Sequence, residues 1–299
     1  MARFLNPFTD FGFKKLFGLE ENQDILVSFL NTVLPDKKIA KINYRKTEHL
    51  GHSEIDRKVV FDLYCENEKG EKFIVELQKA KQKHLKDRSL YYATFPIQEQ
   101  AQKGDWNFRL TPVYFVALLD FCFEDPASRE DVKAQVQLVN VHRQEVFYDK
   151  LSFTFLQMPN FRKSLDELNS PEEEWLYLLR HLSELEEIPA RLAEFVFKKV
   201  FRIAELAKLS QEDRQAYEDS LKYYRDLKNS LDTAFEEGKS EGQMVGEQIG
   251  LQKGEQIGLQ KGEYRKARQT AEKCLQKGMS IEETAELTGL GIEEINLIA

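Results

Sequence analysis

The stretch from Val59 to Gln78 places the strongest constraint on the fold. Two runs rich in β-branched and aromatic residues flank the polar segment NEKGE, which is typical of a β-hairpin. The loop contains Gly70, and glycine readily adopts the positive φ that tight hairpin turns use. Since side chains alternate across a strand, Asp62 takes one face of the first strand, whereas Glu76 and Gln78 share a face of the second.

Asp62 and Glu76 interrupt runs that otherwise have the composition of buried strands. A buried carboxylate without a partner is costly, and neither residue has a neighbour of opposite charge on its own strand face. If Asp62 stands opposite or diagonal to Glu76, their oxygens lie within roughly 5–8 Å. One hard cation such as Mg²⁺ can then bind both carboxylates. The alternative is that the two carboxylates face solvent at a sheet edge.

The segment KAKQKHLKDR follows directly after Gln78. It places five basic residues beside the two carboxylates: Lys79, Lys81, Lys83, Lys86 and Arg88. Because the chain has a net charge of −8, contact with nucleic acid must be local, and this cluster has the position that a phosphodiester substrate requires. A solvated loop would carry the same residues. In the helix expected next, Arg88 and Gln98 would reach towards the carboxylates, and Pro96 would kink or restart the helix.

The N-terminal segment NPFTDFGFKKLFG has Asp10 and Lys14 at helical spacing and precedes the Leu-rich segment DILVSFLNTVL. Followed by Asp62 and the Glu-x-Gln of Glu76 and Gln78, it resembles the PD-(D/E)xK family transposases, also described as recombination-promoting nucleases. The resemblance extends over about residues 6–160. It also includes Arg88, the pair Tyr91 and Tyr92, Gly104 and the strand PVYFVALLD.

This resemblance implies a metal-dependent DNA endonuclease of restriction-endonuclease-like α/β fold, with a mixed sheet flanked by helices. Asp62 and Glu76 would bind Mg²⁺ or Mn²⁺, and Gln78 would stand where the family usually has a Lys. Since Gln carries no charge, the site is either weaker or uses Lys79 or another nearby Lys. Contacts to DNA would come from Lys79, Lys81, Lys83 and Arg88, and supporting residues would be Asp10, Lys14, Tyr92 and Gln98.

A role in a mobile element, in recombination or in phage defence is implied as well. Two alternatives remain at this stage. One is a catalytically degenerate nuclease fold that acts as an oligomeric assembly or nucleic-acid-binding protein, and the other is a relative that cleaves RNA. Metal-dependent cleavage of DNA would separate an active nuclease from the degenerate fold. Cleavage of RNA and DNA substrates side by side would identify a relative that cleaves RNA.

The other strands are expected at residues 111–120, 135–142 and 151–156. The first of these is a nearly continuous apolar run, which is the pattern of a central strand buried on both faces. Beyond residue 160 strand patterns disappear, and Ser170 followed by Pro171 marks a strong helix start. We therefore divide the chain into a nuclease-like core at 1–159, a helical extension at 160–235, a glycine-repeat segment at 236–267 and a helical hairpin at 268–299.

In the glycine-repeat segment, glycine recurs every four residues from Gly238 to Gly262, and GEQIGLQK occurs twice in succession. Glycine disfavours a helix by about 1 kcal/mol relative to Ala, so a helix there needs compensation. A stripe without side chains allows two helix backbones to approach closely, and we expect a self-associating helix that makes the protein a homo-oligomer. A flexible linker is the alternative, although linkers rarely carry regularly spaced Ile and Leu.

Several classes of protein are disfavoured by composition. The longest apolar run is far shorter than the roughly 20 residues of a membrane helix, so we expect no membrane association and a cytoplasmic location. The three cysteines are widely spaced, which disfavours disulfides and structural zinc. His49 and His52 form an HxxH beside Gly and Ser in expected strand ends and a loop, where a place at the mouth of the site or solvent exposure is favoured over metal binding. The last helix contains Glu293 and Glu294 and no basic residue, unlike a DNA-recognition helix.

Overall fold

The computed structural model describes residues 2–49, 59–101, 106–125 and 130–298. The chain divides into two compact units, Met1–Asn229 and Ser230–Ala299. Gly104 and His52, which were named above, lie outside the described residues. Within the described residues no helix is both long enough and apolar enough to cross a bilayer.

The first unit contains both helices and strands, whereas the described residues of the second are helical. The strands are β1 (Ile42–Tyr44), β2 (Glu48–His49), β3 (Val59–Val60), β4 (Leu63–Asn67), β5 (Lys72–Gln78), β6 (Val113–Leu119), β7 (Lys133–Asn140) and β8 (Glu145–Gln157). The α-helices are α1 (Asp10–Phe17), α2 (Gln23–Val33), α3 (Leu85–Gln98), α4 (Pro171–His181), α5 (Phe195–Ala204), α6 (Gln211–Gln276), α7 (Ile281–Thr288) and α8 (Ile292–Asn296).

Six strands form one mixed sheet in the order β1-β4-β5-β6-β8-β7. The predicted hairpin is β4–β5, which is antiparallel, and Gly70 in its turn has the expected positive φ of 78°. Strands β5, β6 and β8 are parallel neighbours, and every residue of β6 is buried, as its apolar run predicts. The expected restriction-endonuclease-like mixed sheet with flanking helices is confirmed.

The larger hydrophobic core lies on one face of the sheet. Phe73, Val75 and Leu77 of β5 belong to it, together with buried residues of α1, α2, α4 and α5. Trp175 of α4 is 1% exposed and packs against the rings of Phe17, Phe29 and Phe197. This core fixes α1 against the hairpin strands.

Helix α3 covers the opposite face, where Ile74, Phe61 and Tyr64 belong to a second core. Of the two effects expected of Pro96, a kink or a restart of the helix, the restart is wrong, because α3 runs through Pro96 to Gln98. Only two residues of the helix follow Pro96, so the missing N–H removes a bond in its last turn, and the Glu99 N–H still bonds the Phe95 carbonyl at 2.9 Å. Helix α3 remains continuous over the face that carries the hairpin carboxylates.

The second unit contains the C-terminal part of α6 together with α7 and α8. Ala271, Leu290 and Ile295 form its small core, Ser280 and Glu283 form the predicted capping box of α7, and Gly289 ends that helix in the left-handed conformation. The glycine-repeat segment lies within α6, so its predicted helical state is confirmed. Apart from its chain neighbours and the adjoining backbone of α6 itself, a methyl group added at any of its seven glycines would contact no described atom within 4 Å.

Candidate active site

The pairing of β4 with β5 sets the two hairpin carboxylates opposite each other. Leu63 pairs with Val75, so the next position outward on each strand is Asp62 and Glu76. The Asp62 N–H donates to Glu76 Oε1 at 3.2 Å, and the Leu77 N–H donates to Asp62 Oδ2 at 2.8 Å. The carboxylates are thus held together by backbone hydrogen bonds at the end of the hairpin remote from its turn.

Burial makes this pair electrostatically unusual. Glu76 is 1% exposed, and its burial, followed by the adjacent charge of Asp62, raises the pKa of Glu76 to about 8. Burial also raises the pKa of Asp62, and the charge of Asp10 adds to that effect, while the Leu77 N–H and the ammonium groups of Lys14 and Lys79 oppose it. The protein alone therefore leaves negative charge at this point incompletely compensated.

Gln78 follows Glu76 on the face of β5 that α3 covers, and it is buried. Its amide Nε2 donates to Glu76 Oε2 at 3.2 Å. This hydrogen bond fixes the orientation of the Glu76 carboxylate and lowers the cost of its charge, although the amide supplies no positive charge of its own.

Arg88 of α3 lies beside the same carboxylate, and its guanidinium stacks on Tyr92 of the same helix. An Arg88 guanidinium nitrogen is 3.9 Å from Glu76 Oε2, and the guanidinium carbon lies 4.8 Å from the centre of the Tyr92 ring. The ring of Tyr92 in turn packs edge-on against Phe61. Helix α3 therefore supplies a cation whose position is fixed by an aromatic stack.

Gln98 is not brought to this site. It lies ten residues beyond Arg88 on a continuous helix, which separates the two by about 15 Å along the axis. Ten residues also turn Gln98 about 80° away from Arg88 around the helix axis, so the two side chains share neither a face of α3 nor a level along it.

The far side of Asp62 faces α1. Thr9 caps this helix by accepting a hydrogen bond from the Gly12 N–H, and Asp10 and Lys14 follow one helical turn apart. Lys79 Nζ lies 2.6 Å from Asp10 Oδ2 and 5.1 Å from the centre of the Tyr223 ring on α6. The lysine next to Gln78 is thus held in place between two helices, close enough to Asp62 to influence its charge.

The basic segment after β5 is partly neutralised by an acidic pair that follows β6. Lys81 forms an ion pair with Glu124, and Lys86 lies 3.5 Å from Asp125. Lys83 is exposed, and within the described part of the chain it forms no ion pair. Of the predicted DNA-contacting residues, Lys79 and Arg88 therefore lie at the carboxylates, whereas Lys81 and Lys83 lie in the loop between β5 and α3.

Asp120, Tyr224 and Lys228 form a contact near the site that sequence reasoning missed. The Asp120 N–H donates to the Gln78 carbonyl at 2.9 Å. The Asp120 carboxylate accepts from the Tyr224 hydroxyl at 2.7 Å and pairs with Lys228 Nζ at 2.8 Å. The first turns of α6 are thereby anchored to the end of β6, and no local pattern signals a contact that joins residues about a hundred positions apart.

The donor set suits a hard divalent cation that retains water. Among the described residues no three His, Cys, Asp or Glu side chains converge on one metal position. Mg²⁺, however, commonly binds proteins through one or two carboxylates and completes its shell with water and substrate phosphate oxygens. The raised pKa of buried Glu76 beside Asp62 is the feature that a cation would relieve, so these two residues fit the ion that the sequence predicts.

A sequence model describing the PD-(D/E)XK nuclease family transposase matches residues 7–234. The matched region includes Asp10, Asp62, Glu76, Gln78 and the anchor at the start of α6. No curated protein and no solved structure matches the chain.

Proposed function

Because the chain belongs to the PD-(D/E)XK nuclease family transposases, we propose that it is an endonuclease that hydrolyses the phosphodiester bonds of DNA with a divalent metal ion. The observation that carries the proposal is the pair of opposed carboxylates Asp62 and Glu76, held by backbone hydrogen bonds and short of compensating charge. Family membership supports nuclease chemistry, and the pair provides its site.

Asp62 and Glu76 would hold Mg²⁺ or Mn²⁺, which supplies an activated water and neutralises charge on the phosphate when it is bound. Gln78 would keep the Glu76 carboxylate oriented through its amide hydrogen bond. Lys79, fixed by Asp10 and the Tyr223 ring, would bring an ammonium group to the carboxylates where Gln78 has none, with part of its charge offset by Asp10. Arg88 would stabilise negative charge at the phosphate from the side of α3.

The proposal extends to the biological setting. The transposase description of the family supports action on DNA in a mobile element, and we extend the proposal to recombination or defence against phage and to a cytoplasmic location. The contacts to DNA are assigned to Lys79, Lys81, Lys83 and Arg88, with Asp10, Lys14 and Tyr92 in support. We also propose the division of the chain at residues 159, 235 and 267; of the two compact units, the first ends at Asn229 and the second begins at Ser230.

We also propose that the glycine-repeat segment at 236–267 makes the protein a homo-oligomer. Its seven glycines each disfavour the helix by about 1 kcal/mol relative to Ala, and the space above each is open. Apolar side chains beside them are exposed, including Val245, Ile249 and Ile257. A second copy packed on this helix would bury those side chains and allow the close backbone approach that glycine permits.

Cleavage of supercoiled plasmid DNA by the full chain tests the proposed activity. We expect nicking and linearisation with Mg²⁺ or Mn²⁺, none with EDTA, and slower cleavage of an RNA transcript of matched length. Equal cleavage in EDTA would contradict the metal requirement. Preferential cleavage of RNA would assign the same site to the other nucleic acid.

A further inference from the structure

A cavity of about 440 Å³ opens beside Asp62, on the side of the sheet that carries α1. Its wall includes Asp62 itself, three basic side chains, a tyrosine and one further carboxylate: Lys14, Lys15, Arg45, Tyr44 and Asp213. The cavity is therefore adjacent to the candidate metal ligands but is distinct from the basic segment that follows β5.

The charges in this wall do not cancel. Lys15 is neutralised by Asp213, with 2.7 Å between Nζ and Oδ2. Arg45 pairs with Glu66 at 2.6 Å, but the same Glu66 oxygen also binds Lys72 at 2.5 Å. One carboxylate is thus shared by two cations and can neutralise only one of them, which leaves a positive charge at the Arg45 side of the cavity.

Lys14 provides a second cation in the cavity wall. It is exposed on α1, and it forms no ion pair within the described ranges of the chain, in contrast to Lys81 and Lys86 of the basic segment. Its ammonium nevertheless acts electrostatically on Asp62. A flexible cation beside a metal-binding carboxylate is free to pair with an incoming anion.

We propose that this cavity binds a backbone phosphate of the DNA next to the scissile one, with Lys14 as the cation that meets it. The inference rests on the proposed function, because it treats the neighbouring carboxylates as the reaction centre. It places the bound strand over α1 and the start of β4, so that the metal site lies between this cavity on one side and Arg88 of α3 on the other. Lys14 is a binding residue in this arrangement and takes no part in the chemical step.

The experiment compares Lys14→Gln with Lys69→Gln in the full chain. Lys69 is an exposed lysine in the hairpin turn, at the opposite end of the β4–β5 hairpin from Asp62. Both variants lose one charge from the protein, but only the first loses it at the cavity. Binding of a short fluorescein-labelled DNA duplex is followed by anisotropy in EDTA, so that no cleavage occurs, between about 50 and 200 mM salt.

We expect Lys14→Gln to bind the duplex about five- to tenfold more weakly near 100 mM salt, and to lower the slope of log K against log salt by about 0.9, the effect of one phosphate contact. Lys69→Gln should leave both values at those of the wild type, and Lys14→Arg should restore them. A wild-type slope in Lys14→Gln, or equal losses in Lys14→Gln and Lys69→Gln, would overturn the inference.

Two further results distinguish a DNA phosphate from free phosphate at the cavity, and the binding inference from the proposed cleavage activity. Inorganic phosphate, added at constant ionic strength, should displace the duplex from the wild type only weakly, since one contact is a small part of strand binding. Displacement at low millimolar phosphate that is lost in Lys14→Gln would show a site for free phosphate and overturn the assignment to DNA. Wild-type protein that binds the duplex but does not cleave it with Mg²⁺ contradicts the proposed function alone, whereas wild-type protein that does not bind the duplex overturns the inference.

Discussion

Replacing Glu76 by Gln should stabilise the metal-free protein at about pH 8 and reduce the dependence of its stability on pH. Burial, and next the charge of Asp62, raises the pKa of Glu76 from its ordinary 4.5 to about 8. An unfolded chain releases this proton near the ordinary value, so the folded chain binds more protons than the unfolded chain between these two pH values. Protonated Glu76 therefore contributes its full stabilisation to the folded protein below the ordinary pKa of 4.5, and this stabilisation is lost as pH rises through the pKa of about 8 in the folded chain.

The magnitude follows from the shift. One pKa unit corresponds to about 1.4 kcal/mol, so ionising Glu76 lowers the free energy of unfolding by at most about 5 kcal/mol. Water entry and movement of the side chain reduce that value, and we expect Glu76→Gln to raise the free energy of unfolding by about 2–4 kcal/mol at pH 8. The amide has nearly the same shape as the carboxyl and can still accept the Asp62 N–H.

Urea unfolding in EDTA from about pH 5 to pH 8.5 measures this effect. Both tryptophans of the chain, Trp106 and Trp175, belong to the first unit, so fluorescence reports its unfolding. Glu66→Gln is the control, because the ionised form of Glu66 stabilises the folded protein whereas that of Glu76 destabilises it. Burial acts to raise the pKa of Glu66, but the hydrogen bonds from Lys72 and Arg45 lower it overall, so its stabilisation is present above the ordinary pKa and is lost on acidification.

Glu66→Gln should accordingly destabilise the protein at pH 8, where Glu76→Gln stabilises it. Mg²⁺ should stabilise the wild type and have little effect on Glu76→Gln, because a ligand that binds only the folded state shifts unfolding in proportion to its affinity. If Glu76→Gln keeps the wild-type loss of stability between pH 5 and pH 8, the assignment of that loss to the opposed carboxylates is refuted.

Three further changes test other parts of the account. Gln78→Lys should retain cleavage in the plasmid assay, because an ammonium there lies where negative charge develops; loss of both metal binding and cleavage would show a role that Lys cannot fill. Replacing Gly250 and Gly254 together by Leu should raise the helicity of the isolated repeat peptide, measured by circular dichroism. The same change should weaken association of the full chain in light scattering, because bulky side chains hold two backbones apart. Unchanged association would favour a tail that does not assemble the protein. Gly70→Ala should lower the free energy of unfolding by about 1 kcal/mol in urea titrations, since the turn requires a positive φ, and an unchanged midpoint would contradict that requirement.

The hairpin was predictable because its determinants are local. Alternation along two short runs predicts which side chains share a face, and Gly70 in the loop predicts the turn. The sequence left Asp62 opposite or diagonal to Glu76, and the pairing of Leu63 with Val75 sets the two residues opposite each other. The helical state of the glycine-repeat segment at 236–267 was predictable for a similar reason, since Ile and Leu at regular spacing disfavour a linker, whereas its continuity with the rest of α6 (Gln211–Gln276) was not predicted. Such patterns depend only on neighbours in sequence.

The surroundings of the site depend on contacts between distant segments, and these were not predictable. The anchor of Tyr224 and Lys228 on Asp120, and the position of Lys79 between Asp10 and the Tyr223 ring, arise only when α6 packs on the sheet. The neutralisation of Lys81 by Glu124 likewise joins two loops. A basic run in the sequence therefore overstated the free positive charge beside the carboxylates, and its true location depends on which lysines find acidic partners.

Plasmid cleavage by Asp62→Ala tests the central claim most directly, with Glu66→Gln as a control on the same hairpin. A metal ion contributes several kcal/mol of transition-state stabilisation, and about 1.4 kcal/mol is a factor of ten in rate. We therefore predict that Asp62→Ala cleaves at least about a hundredfold more slowly with Mg²⁺, while retaining the buried-tryptophan fluorescence of a folded first unit, and that Glu66→Gln cleaves at nearly the wild-type rate. Wild-type cleavage by folded Asp62→Ala would contradict the account.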